Sequence, residues 1–425
     1  MKIHHNLTIL MRITSPTLIG AVPSRIFRGA ALSTTTRFAR AQSFFCPNPG
    51  FSCGRFLGRR VAATRPLSRH YLLAAPLSQS VDVSAPTFLL PPGLTVREIF
   101  PIAASTLSAA GVTEPRLSVQ HLLTNAIDLP PNCFSRLPQG EHADAVPSPE
   151  QRDKLLSHLS RRVRHEPLQY ILGSWDFHTF EVMCRSPVLC PRPETEELVE
   201  AALRRIPVDA PCRVLDVGCG TGCVGIAVAL HRPLAVVVGI DVSDDAVQLS
   251  NENAATVLGD GWKERYVSVR CRAKEFWKSD GGGRFSEVVS LLGGVGTVFD
   301  VVVSNPPYIP SIDVDGLGPD VLEHEDRVAL DGGVTGLDVV EEILSMMPGW
   351  TDEVRGGDLF MEVDEAHPRL LERAFLVDGR SGDEGILGDT ASLPKKHTDG
   401  LMFVERMEDF TGRDRFVWLQ RRPMT

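Results

Sequence analysis

The sequence predicts an α/β protein, a doubly wound, Rossmann-like parallel sheet preceded by a small helical domain. Three observations carry this. From Arg213 onward, short β-branched runs alternate with helical patterns, the signature of parallel strands joined by helical crossovers. A glycine-rich turn, Gly218-Cys219-Gly220-Thr221-Gly222, separates the first strand from its helix. Before that region, three amphipathic helical segments follow one another with no strand pattern between them.

In chain order, the first 81 residues contain no Asp or Glu and carry eleven Lys or Arg, from Lys2 to Arg69. The chain as a whole is at −9, so the remaining residues carry −20. An Arg- and Ser/Thr-rich, acid-free start fits a mitochondrial transit peptide, with delivery to the matrix. The acidic body argues against broad affinity for a nucleic-acid backbone. No apolar run is long enough to span a bilayer. The nine cysteines are scattered without a C-x-x-C pair, which points to free thiols and no metal site.

Residues 92–165 read as the helical domain. Thr95 with Glu98 is a capping-box signature, and Ile99, Ile102, Ala103 and Leu107 follow at helical spacing. Leu117 to Ile127 gives a second helix, and Pro149 opens a third. Residues 166–200 connect the domains. Tyr170 to Gly173 and Phe177 to Val182 read as a strand or hairpin, and Pro191-Arg192-Pro193-Glu194-Thr195-Glu196 opens a helix. Residues 201–425 hold the sheet. Its strands are expected at Val214–Val217, Leu234–Ile240, Tyr266–Cys271, Val298–Val303 and Gly357–Val363, with closing strands at Met402–Arg406 and Phe416–Leu419. The Gly- and Ser-rich stretch at 279–296 and the stretch at 378–400 read as surface insertions.

The chemistry is expected at Asn305-Pro306-Pro307-Tyr308, directly after the strand ending at Val303 and Ser304. Two prolines stiffen the turn and remove two backbone donors. The carbonyls of Asn305 and Pro306, and the amide oxygen of Asn305, are then available as acceptors beside the Tyr308 ring. That arrangement suits a planar NH2 group, an amide or an exocyclic base amine. The glycine turn and Asp241, at the end of the second strand, form the cofactor end. A dinucleotide fingerprint would place its third glycine at position 223, which is Cys. The acid Asp216 just before the turn suits a ligand with an ammonium and a sulfonium, namely S-adenosyl-L-methionine.

With these motifs the chain resembles the HemK/PrmC protein-(glutamine-N5) methyltransferases. Glu166-Pro167-Leu168-Gln169-Tyr170-Ile171-Leu172-Gly173 is similar to the family's segment after its helical domain. The R-P-E-T-E loop at Arg192–Glu196, Ala329-Leu330-Asp331-Gly332-Gly333 with Gly336-Leu337-Asp338, and Asp409 to Arg415 also match. The resemblance implies a class I S-adenosylmethionine-dependent methyltransferase fold. It implies as substrate the glutamine in the Gly-Gly-Gln loop of a peptide chain release factor, here a mitochondrial one. It places that glutamine on Asn305 and Pro306, with Pro307 and Tyr308 completing the corner. Asp216, Gly218, Cys219, Gly220, Thr221, Gly222, Asp241 and Asn305 would hold the cofactor, with Phe276 packed on its adenine, or Trp277 in its place. Glu323-His324-Glu325-Asp326 departs from the family pattern, and those residues receive no role. The N-P-P-Y tetrapeptide is shared with enzymes that methylate exocyclic amines of DNA or RNA, or a ribosomal-protein glutamine, so these remain alternatives.

Overall fold

The computed structural model describes residues 88, 90–129, 131–276, 286–294, 298–376 and 400–423. The expected transit peptide, Trp277, and nearly all of the 378–400 stretch lie outside the described residues.

The chain begins with helices α1 (Val96–Ala109), α2 (Pro115–Ala126) and α3 (Pro149–Arg162). Thr95 and Glu98 form the capping box of α1, with the Thr95 N–H donating to the Glu98 carboxylate at 2.8 Å. Ile99, Leu107, Val119, Leu122, Leu155 and Leu159 meet in one apolar core. Cys133, Glu141 and His142, between α2 and α3, bring potential ligand atoms within 4.8 Å of one another. No C-x-x-C or His spacing marks that grouping in the sequence.

The next segment corrects one expectation. Leu168–Leu172 is a short helix, α4, not a strand. Pro167 starts it and Gly173, at φ 86°, ends it. Its two sides serve different cores: Ile171 packs with the helical domain and Tyr170 with the sheet domain. The hairpin follows as β1 (Ser174–Phe177) and β2 (Phe180–Met183), and α5 spans Thr195–Leu203.

The sheet domain continues with β3 (Cys212–Val217), α6 (Cys223–His231), β4 (Ala235–Asp241), α7 (Asp244–Leu258) and β5 (Tyr266–Arg270). After them come α8 (Ser286–Leu292), β6 (Val301–Ser304), α9 (Ser311–Val314), α10 (Pro319–Leu322), α11 (Asp338–Trp350), β7 (Gly357–Glu362), α12 (His367–Leu376), β8 (Leu401–Glu408) and β9 (Asp414–Arg421). The helix α8 lies inside the stretch read as a surface insertion, yet Val288 and Leu292 are buried in the core, so this part belongs to the domain.

Strand order is β5-β4-β3-β6-β7-β9-β8, with β9 antiparallel to its two neighbours and the first five strands parallel. Successive residues point to opposite faces, so Val214 packs with α6 residues such as Ile226 and Leu215 packs with α11 residues such as Ile343. Both faces are covered, which is why the strands read as continuous Val runs. The strand order reverses between β3 and β6. In open α/β sheets the crevice at the carboxyl ends of such a strand pair is the ligand-binding position. Among the described residues no helix is long and apolar enough to cross a membrane.

Candidate functional site

The glycine turn after β3 and the N-P-P-Y corner after β6 stand on the same rim. Val217 pairs with Ser304 in parallel register, and the Ser304 hydroxyl donates to the Val217 carbonyl at 2.7 Å. Gly218, Gly220 and Gly222 take φ values of 71°, 54° and 82°, which non-glycine residues rarely adopt. Gly218 and Cys219 donate their N–H groups to Ile240, and Gly220 donates to Asp241 Oδ2 at 2.9 Å. Asp241 Oδ1 accepts from the Ser243 N–H at 2.9 Å. The carboxylate is therefore locked in place with lone pairs to spare. Burial pushes its pKa up, and those backbone donors oppose the rise.

A cavity of about 420 Å³ opens at this rim. Gly218, Gly220, Asp241, Asn305 and Pro307 line it, with Val217, Ile240, Val242, Ala273 and Val339 giving apolar walls. Its charged lining is Asp241, Asp326, Asp331 and Glu342 against Arg272 and Arg327, a net acidic set suited to a cationic ligand. Pro187, Val188 and Leu189 close one side. They are held there by the Tyr170 hydroxyl, which donates to the Val188 carbonyl at 2.7 Å, and by the Asp326 N–H, which donates to Pro187 at 2.8 Å.

Other residues expected at the site lie elsewhere. Asp216 is buried beneath the turn, and its Oδ2 accepts from the Gly225 N–H at 3.0 Å. Burial pushes its pKa up to about 7. It does not line the cavity, so it supports the turn from below. A Cβ on Gly225 would stand 2.9 Å from that same carboxylate oxygen, which makes Gly225 a fourth required glycine. Cys219 and Thr221 are buried behind the turn, and Gly222 abuts Ser250. Phe276 is the clearest departure. Its ring is fully buried, 6.1 Å from the Phe299 ring and 6.5 Å from that of Trp350, in the core beneath α11. The short helical turn Ala273–Glu275 carries the ring away from the cavity, and Arg272 and Ala273 stand at its wall instead.

The N-P-P-Y corner is tied to the rest of the domain by a buried polar chain. Asn305 Nδ2 donates to Thr195 Oγ1 at 3.0 Å, and Thr195 donates to Glu362 Oε2 at 2.7 Å. Glu362 Oε1 accepts from the Tyr308 hydroxyl at 3.1 Å and from Arg415 at 3.3 Å. Arg415 also donates to the Tyr308 oxygen at 2.6 Å, its guanidinium 5.0 Å above the ring. Burial and the Glu362 charge raise the Tyr308 pKa, so its hydroxyl stays neutral.

The Ala329–Asp338 stretch straps the corner. Ile309 donates to Leu330 at 3.1 Å, and Gly332 donates back to Ile309 at 2.9 Å. A Cβ on Gly336, at φ 75°, would stand 2.2 Å from the Tyr308 carbonyl oxygen. The glycines of that motif are contact points with the corner. Glu325, which the sequence left without a role, is buried. It pairs with Arg192 of the R-P-E-T-E loop at 2.6 Å and accepts from the Cys190 N–H at 3.2 Å. Neither Glu325 nor Glu362 stood out in the sequence, although an acid ending the apolar strand Leu359-Phe360-Met361 was a usable signal.

Comparison with known proteins decides the family. The PrmC N-terminal domain profile matches residues 98–173, and a methyltransferase-domain profile matches 209–258. The release factor glutamine methyltransferase of Geobacter sulfurreducens is 35% identical over 270 residues, covering 63% of this chain and 84% of that one. The chain belongs to the release factor glutamine methyltransferase family. The human member, named MTRF1L release factor glutamine methyltransferase, is 32% identical over 271 residues, 62% of this chain and 69% of its own length. That of Rhodospirillum rubrum is 32% identical over 318 residues, 74% and 82%. As a release factor glutamine methyltransferase family member, the protein is an S-adenosylmethionine-dependent methyltransferase with a Rossmann-like catalytic domain and a PrmC-type N-terminal domain. The two profiles bracket the R-P-E-T-E loop, which structurally joins α5 to the N-P-P-Y corner through Thr195.

Proposed function

We propose that this protein methylates N5 of the glutamine in the Gly-Gly-Gln loop of a release factor, and that the release factor is a mitochondrial one. The observation that carries the proposal is the common rim: Asn305 and Pro307 of the corner line the same acidic cavity as Gly218 and Asp241, while Pro306 is buried and it and Tyr308 stand behind that wall.

The cavity fits S-adenosylmethionine. Its volume lies in the small-molecule range. Asp241 has free acceptor capacity for ribose hydroxyls at the strand end. An added Cβ at Gly220 would meet no atom within 4 Å, so the backbone there is open to a ligand. The cofactor supplies an activated methyl group. The chain's own residues align the acceptor. Asn305 Oδ1 and the Asn305 and Pro306 carbonyls accept from the two N–H groups of the glutamine amide, and these hydrogen bonds strengthen as that nitrogen gains positive character. Such fixed alignment lowers the barrier of a displacement reaction without a strong base. Tyr308, held neutral, contributes its ring face and no proton transfer. The Arg-rich, acid-free first 81 residues support delivery to the mitochondrion.

Incubation of the purified protein with methyl-labelled S-adenosylmethionine and, in parallel, a mitochondrial release factor, ribosomes and DNA tests this reading. Label is expected in the release factor. Label confined to nucleic acid or to ribosomal protein would overturn it.

A further inference from the structure

The direction of the hydrogen bonds between Thr195, Glu362 and Asn305 determines which end of the Asn305 amide faces the cavity. Thr195, the first residue of α5, is buried, and its hydroxyl has one hydrogen to give. Glu362, the last residue of β7, is buried on the other side, and its Oε2 lies 2.7 Å from Thr195 Oγ1. An ionised carboxylate only accepts, so the Thr195 hydrogen goes to Glu362. Toward Asn305, at 3.0 Å, Thr195 Oγ1 can then only accept. A carbonyl oxygen cannot donate to it, and the NH2 group can.

We infer that Thr195 and Glu362 are positioning residues that fix the amide of Asn305 with Nδ2 toward Thr195 and Oδ1 presented to the substrate. The inference rests on the proposed role of Asn305 as acceptor for the substrate amide, and it adds a specificity device. An exposed Oδ1 favours a substrate NH2 group and disfavours a carboxylate. The flipped amide would present its own NH2 and repel the substrate's. Burial raises the Glu362 pKa, and the hydrogens of Thr195 and Tyr308 together with the permanently charged Arg415, 3.3 Å from Oε1, oppose the rise and favour the accepting form. The same carboxylate holds the Tyr308 hydroxyl, so one buried anion sets both polar side chains of the corner.

The test uses the full chain with Thr195→Val, which removes the hydroxyl at nearly constant shape, and Thr195→Ser, which retains it. Each is made alone and with Asn305→Ala, and turnover is measured under single-turnover conditions. Thr195→Val should lose about ten- to a hundredfold in rate, the range for groups that orient a functional side chain. Cofactor affinity and melting temperature should stay near wild type, and Thr195→Ser should recover most of the rate. In the Asn305→Ala background Thr195→Val should add no further loss, because Thr195 acts through Asn305. Wild-type turnover for Thr195→Val beside a crippled Asn305→Ala would overturn the inference, as would a full additional loss in the double variant. Wild-type turnover for Asn305→Ala itself would instead overturn the reading of Asn305 on which the inference rests. Should Thr195→Val fail to fold, Thr195→Ala assayed against Thr195→Ser gives the same contrast.

Discussion

Gly218 and Asn305 face each other across the seam between β3 and β6: a Cβ on Gly218 would stand 3.9 Å from the Asn305 carbonyl oxygen. The parallel register of Val217 with Ser304 produces this closeness, since each strand ends one residue before the functional turn. The glycine turn and the acceptor corner are thus neighbours despite the 86 residues between Gly218 and Asn305.

Gly336 gives a first prediction. With φ at 75° and the Tyr308 carbonyl oxygen 2.2 Å from any added Cβ, Gly336→Ala must displace the strap or the corner. The glycine turn after β3 is untouched. We expect turnover to fall by at least tenfold while cofactor affinity, measured calorimetrically, stays within about twofold. Equal loss of both would show that the strap supports the whole cavity.

Asp216 gives a pH dependence. Burial raises its carboxyl from the ordinary 3.8 to about 7 in the folded protein. The native state therefore holds the proton more tightly than the unfolded chain does. This contribution to stability is complete below about pH 4 and is lost as the pH rises through 7. Asp216→Asn keeps an acceptor for the Gly225 N–H and carries no charge. Relative to wild type it should gain about 2–3 kcal/mol of stability between pH 5 and 8, most of it below pH 7. Urea titrations of the cofactor-free protein at several pH values measure this, and a pH-independent difference would contradict it.

Phe276 is a core residue here, and its substitution should report on folding. Phe276→Ala is expected to lower stability by about 3–5 kcal/mol. Cofactor affinity of the folded protein should be unchanged. A normal denaturation midpoint with weakened cofactor binding would return the ring to the role first expected for it.

These cases mark what the sequence made legible. The runs Val236–Val238 and Val301–Val303 announce buried parallel strands, because both faces are covered and no alternation is needed. The glycine turn and N-P-P-Y announce themselves because their geometry restricts residue choice. The helix at Leu168–Leu172 reads as a strand in sequence because five apolar-rich residues carry too little periodicity to separate the two. The helix Ser286–Leu292 was hidden by the glycines around it. The depth of Asp216 depends on how closely α6 approaches at Gly225, a packing distance that spacing does not encode. The link from Thr195 to Glu362 spans 167 residues, and no local pattern joins them.

The Arg192–Glu325 pair, joining the R-P-E-T-E loop to the segment before the Ala329–Asp338 strap, yields a fourth prediction. Glu325 is buried and Arg192 is about one-third exposed. Glu325→Ala leaves the Arg192 charge without its partner and should destabilise by about 2–3 kcal/mol, less than for a fully buried pair because water reaches the guanidinium. Adding Arg192→Met should restore part of the loss. A double variant less stable than Glu325→Ala would show that Arg192 contributes mainly through its other contacts.

The most direct test of the account is mass spectrometry of the Gly-Gly-Gln peptide from a mitochondrial release factor after reaction with S-adenosylmethionine. The wild-type protein should add one methyl group, located by fragmentation on the glutamine side chain, and Asn305→Ala should reduce the yield at fixed time by about a hundredfold or more. An unmodified glutamine with the wild-type protein, or equal modification with Asn305→Ala, would contradict it.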